Sequence, residues 1–131
     1  MDGQYLIHLL EAFSNITFSD MGIQPLLGKQ AVATFNRIIS QKYAEDILLP
    51  VHCSKIRELC LRVLGNMSIN HEGKQECIED KVILNAWRYL DAEDYSKRLN
   101  ASLVLMSCTI HLEGKKQAVQ FEEVPKQPII L

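Results

Sequence analysis

The sequence has no Gly-rich phosphate loop, no His-Glu-x-x-His pair and no Gly-x-Ser-x-Gly elbow. Those absences exclude the common nucleotide-binding, metalloprotease and hydrolase signatures. Its four histidines are scattered, and nothing pairs a nucleophile with a base. No catalytic residue, no cofactor and no small-molecule substrate is expected. The four cysteines (Cys53, Cys60, Cys77, Cys108) are too sparse and irregular for a disulfide framework. No Cys-x2-Cys pair accompanies His52-Cys53, so no metal site is expected. Cys60 and Cys108 fall on or beside apolar helix faces, where a free thiol acts as a small hydrophobe.

Charge is equally uninformative about polyanions. The net charge is -2 and no Lys/Arg run occurs, which argues against nucleic acid. No apolar run approaches the length of a membrane span. The start carries Asp2 and Glu11 and lacks a basic region ahead of an apolar core, so no signal peptide is expected. A cytoplasmic location is expected. The Asn-x-Ser/Thr triplets at Asn15, Asn66 and Asn100 then read as helix residues and not as glycan acceptors. Period-2 alternation is missing too, which excludes a sheet.

What the chain does have is helical periodicity. Ile56, Leu59, Cys60, Val63, Leu64 and Met67 draw one stripe down a helix over Lys55–Asn70. Asn70-His71-Glu72-Gly73 is expected to stop it, with Gly73 free to take a positive φ. Further helices are expected at Gln4–Thr17 (Leu6, Leu9, Leu10, Phe13 and Ile16 inward), Lys29–Gln41, Val82–Asp91 and Tyr95–His111. Short pieces are expected at Ile23–Leu27, Tyr43–Leu49, Lys74–Asp80 and Lys115–Phe121, and Phe18–Gly22 reads as a turn. Pro50 is expected to end any helix near it.

The central helix has an echo. At the offset that carries Arg57 onto Arg98, Val63 meets Val104, Leu64 meets Leu105 and Ile69 meets Ile110. Glu72-Gly73-Lys74 meets Glu113-Gly114-Lys115 in the same register. A weaker copy starts the chain: Leu10 aligns with Leu61, Asn15 with Asn66 and Gly22 with Gly73, with an insertion between Gln41 and Ser54. A helical period of about 40 residues indicates stacked repeats, which bury their stripes only against one another. The expected fold is therefore all-α, a helical solenoid of about three incomplete repeats. Its units fall at roughly 3–22, 23–73 and 74–114, with a partial unit at 115–121 and an extended or disordered tail at 122–131.

Leu61–Ser68, His71–Lys74 and Cys77–Asp80 together resemble an armadillo repeat, over most of residues 3–121. Residues 98–120 are similar to the armadillo units of the radial spoke head 14 family of ciliary axonemes. The armadillo resemblance implies a right-handed solenoid and a groove along the long helices. Glu11, Arg62 and Leu103 stand where peptide-binding armadillo proteins carry a tryptophan. Asn15, Asn66 and Ser107 stand at the motif asparagine. The resemblance thus implies a structural or protein-interaction scaffold whose partners are other proteins, with those six residues as the candidate contacts. Its expected place is a multi-subunit complex such as the axonemal radial spoke of a cilium or flagellum. The alternative is a cytoplasmic adaptor binding a peptide or helix in its concave groove. The tryptophan ladder itself is absent, which argues against nuclear-signal peptides. Trp87, the one tryptophan, shares a stripe with Ile83, Leu84 and Leu90 and is expected in the inter-repeat core. His71 and His111 fall at the same turn of successive units.

Overall fold

The computed structural model describes residues 3–40 and 50–120. The expected piece at Tyr43–Leu49 and the tail lie outside the described residues. Every regular element described is helical: α1 (Gly3–Ile16), α2 (Asp20–Ile23), α3 (Ala31–Ser40), α4 (Pro50–Ile69), α5 (His71–Glu79), α6 (Val82–Ala86), α7 (Tyr95–Cys108) and α8 (Leu112–Val119). A turn of 3-10 helix follows α2 at Gln24–Leu26, and another follows α6 at Trp87–Tyr89. The stretch expected as one helix over 82–91 is thus a short α-helix that tightens before it ends. No helix among the described residues is long and apolar enough to cross a membrane.

α4 is the centre of the packing. It packs most extensively against α7 and α1, and then against α3 and α5. Ile56, Leu59, Cys60, Leu61, Val63, Leu64 and Met67 are all at most 1 % exposed. A stripe covers one side of a helix; here two sides are covered, because Leu61 lies off the stripe and is buried as well. Contacts also recur along the chain. α3 meets both α5 and α6, and α6 meets α8. Rings of His71 and His111 lie 6.1 Å apart at the starts of α5 and α8.

Three expectations change. Pro50 is the first residue of α4, ahead of the start expected at Lys55. Proline's missing N–H costs nothing in the first turn and its fixed φ suits a helix start. Asn70 begins the next helix: its Oδ1 accepts from the Gly73 N–H at 2.9 Å and caps α5. Ser19 caps α2 in the same way, through the Gly22 N–H at 3.2 Å, where a turn was expected.

Gly73 is therefore helical, and flexibility is not its reason. A Cβ there would lie 2.2 Å from the Met67 carbonyl oxygen, at the end of α4. Gly22 and Gly114 are in the same position, at 1.8 Å from the Ile16 oxygen and 1.9 Å from the Cys108 oxygen. In each case a short helix crosses the last turn of a long one, so close that backbone touches backbone.

Helix ends also tie neighbouring elements. The Tyr89 hydroxyl donates to the carbonyl of Ile39, in the last turn of α3, where helical carbonyls lack partners. Arg88 Nη1 donates to the Ser40 carbonyl at 3.1 Å. Burial pushes the Tyr89 phenol upward, so it stays protonated and keeps donating. Tyr89→Phe is expected to cost about 1–3 kcal/mol, the penalty of a buried carbonyl left without its donor. Chemical denaturation measures this, and an unchanged midpoint would remove the capping role.

Candidate functional site

A groove of about 550 Å³ opens where the α1–α2 connection, the second half of α4 and the first half of α7 meet. That volume lies within the roughly 300–1,000 Å³ range of ligand clefts. Its floor is polar and tied down. Asn66 is buried, and its Nδ2 donates to the Ser14 carbonyl at 3.2 Å and to Thr17 Oγ1 at 3.1 Å. Thr17 Oγ1 in turn donates to the Phe13 carbonyl at 2.8 Å. Asn100, also buried, donates through Nδ2 to the Ser96 carbonyl at 2.8 Å.

The walls are apolar. Phe18, Ile69, Tyr95 and Leu99 line the groove and are exposed, and Leu103 is half-buried beside them. At one end, Asn70 Nδ2 donates to Asp20 Oδ1 at 2.9 Å, joining the cap of α5 to the first residue of α2. A cleft that leaves large apolar side chains at its rim and holds its polar floor fixed favours an apolar guest.

The groove's cationic side chain is paired within its own helix. Arg62 Nη2 donates to Glu58 Oε1 at 2.9 Å and reaches Ser96 Oγ at 3.5 Å. Lys55 takes the same carboxylate at 3.2 Å. Arg62 is thereby held along the wall by a carboxylate of its own helix.

No family model, no curated protein and no solved structure matches the chain.

The groove brings together Arg62, Asn66 and Leu103 of the six expected contact residues. Glu11 and Asn15 lie outside it, on the exposed side of α1, where Glu11 sits 3.9 Å from His8. Ser107 is buried in α7 away from the groove. Asn66 is engaged with α1, so its amide N–H groups hold the units together at the groove floor. Trp87 is half-buried, while Tyr89 is buried in the core. The groove's apolar wall was missed. Ile69, Tyr95 and Leu99 are apolar residues off their helices' buried stripes, and that mismatch is the signal that marks them.

Thiol chemistry has no accessible group. All four cysteines are buried, and none of them forms a disulfide. Burial pushes the Cys60 thiol up to about 12. A hydrogen bond with Cys108, and burial after it, hold Cys77 well above the ordinary thiol range. Among the described residues no three His, Cys, Asp or Glu side chains are grouped to hold a metal ion.

Proposed function

We propose that this chain is a non-enzymatic protein-interaction scaffold, an armadillo-like right-handed solenoid of about three incomplete repeats. Its groove seats an apolar segment, helical or extended, of a partner protein. The carrying observation is the wall of exposed Phe18, Ile69, Tyr95 and Leu99 over a satisfied polar floor. Exposed aromatic and aliphatic residues around a concave site are where binding energy concentrates. The recurring glycine junctions at Gly22, Gly73 and Gly114 support the stacked-unit reading.

The test is selection of a displayed random-peptide library on the wild-type protein, with Phe18→Glu/Ile69→Glu as the comparison. Enriched peptides should share large apolar residues. The double variant should bind them at least about tenfold more weakly, about 1.4 kcal/mol, with unchanged helical circular dichroism. A basic consensus, or equal binding by the variant, would reject the reading.

The likeness of residues 98–120 to radial spoke units supports a narrower assignment, a subunit of the ciliary axoneme. Tagged protein in ciliated cells should then remain in salt-washed axonemes. A diffuse cytoplasmic distribution would leave the adaptor reading in its place.

A further inference from the structure

The two outer long helices expose the faces that α4 keeps covered. Alignment of the repeats places Leu9 with Cys60 and Ala101, Asn15 with Asn66 and Ser107, and Ile16 with Met67 and Cys108. In α4 and α7 all six of these residues are buried. In α1, Leu9, Asn15 and Ile16 are exposed, and Leu9 and Ile16 extend with Tyr5 into one apolar stripe. The opposite face behaves in mirror fashion. Leu10 and Ser14 correspond to Leu61 and Gly65, and these four are buried. Their α7 counterparts, Ser102 and Met106, are exposed.

Gly65 shows what covers that face inside the chain. A Cβ there would meet Asn100 and Leu103 of α7 at 3.0 and 3.4 Å. So the Leu61 side of α4 receives the next long helix. The hydrogen bonds from Asn66 to Ser14 and Thr17 show the preceding joint, α1 on α4. Ser14 and Gly65, which correspond, thus each meet the following long helix, and among the described residues the outer faces of α1 and α7 lack such a cover.

We infer that a second copy of this chain completes the joint, the outer face of α1 in one molecule seating on the Ser102–Met106 face of α7 in another. The polar groups required are present on both halves. Thr109 occupies the position of Thr17, and its Oγ1 donates to the Leu105 carbonyl at 2.7 Å, leaving the oxygen able to accept. Asn15 occupies the position of Asn66. Across the new joint Asn15 Nδ2 donates to Thr109 Oγ1 and to the Met106 carbonyl. Met106 is larger than Ser14 and Gly65, and its unbranched side chain adapts to the surface it meets. Such a contact is heterologous: each molecule uses two different faces, and the assembly stays open-ended.

The inference rests on the stacked-unit reading but uses residues outside the groove, so it fails or holds separately from groove binding. Sedimentation velocity of the wild-type chain should show an average mass that climbs continuously with concentration. Leu9→Glu alone and Met106→Glu alone should each stay monomeric, since both sites are exposed and neither change disturbs the core. Mixed in equal amounts, the two variants should form a dimer and nothing larger, because one intact half remains on each. A wild-type chain that stays monomeric throughout would overturn the inference. So would a closed wild-type dimer that Leu9→Glu abolishes and Met106→Glu does not affect, or a mixture of the variants that stays monomeric.

Discussion

Gly73→Ala is expected to lower the unfolding temperature by roughly 5–15 °C, a loss of about 1–3 kcal/mol. Two effects compete. Inside an exposed helix alanine is favoured over glycine by about 1 kcal/mol. At Gly73 the added Cβ would stand 2.2 Å from the Met67 carbonyl oxygen and 3.0 Å from its carbon. Real carbon–oxygen contacts require about 1 Å more, and the obstacle is backbone that no rotamer change can move. Relief requires α5 to slide off the end of α4. That motion stretches the Asn70 cap, whose Oδ1 accepts from the Gly73 N–H itself. It also disturbs buried Cys77 and Ile78. The clash therefore exceeds the propensity gain. Thermal unfolding by circular dichroism settles the sign, and a Gly73→Ala protein as stable as wild type would show that the junction yields. The same result is expected at Gly114, 1.9 Å from the Cys108 oxygen.

This glycine also shows how far the sequence could be read. Its recurrence in Glu-Gly-Lys was visible, and so was the central helix with its buried stripe. Its reason was not visible. A glycine after a helix looks the same whether it supplies a positive φ or admits a crossing backbone, and only the packing of α5 on α4 distinguishes them. Asn70 carried a similar ambiguity. An asparagine between two helical patterns can end the first or cap the second, and its bond to Gly73 shows the second. The start of α4 is a third case: proline is excluded from helix interiors but welcome in a first turn, so Pro50 opens the helix that the apolar stripe alone starts at Lys55. Of the contact residues, Arg62, Asn66 and Leu103 converged because they follow one face of adjacent long helices. Asn15 did not join them. Its position matches Asn66 in sequence, but Asn66 is covered by α1 while Asn15 is exposed among the described residues.

Lys97→Met is expected to stabilise the protein at neutral pH by about 1–2 kcal/mol and to remove a contribution that rises with pH in alkali. Lys97 is 4 % exposed, and its Nζ donates to Ser54 Oγ at 2.8 Å. Its counterpart in α4 is Ile56, so an apolar side chain suits the position. Burial lowers its pKa, Asp94 and Glu58 oppose the shift, and Arg57 reinforces it. A lysine with a depressed folded pKa costs the fold most where both states are charged, below the folded value. Between that value and the ordinary lysine pKa of about 10.4, only the unfolded chain holds the proton, so stability rises with pH. Tyr89 and Cys60 have raised values and act in the opposite direction as pH climbs. The decisive quantity is therefore the wild-type slope minus that of Lys97→Met, measured by denaturant midpoints from neutral pH to the ordinary lysine value. A positive difference, with the variant more stable at neutral pH, is the expected outcome. Equal slopes, or a destabilised variant, would mean that the bond to Ser54 outweighs the cost of burying the charge.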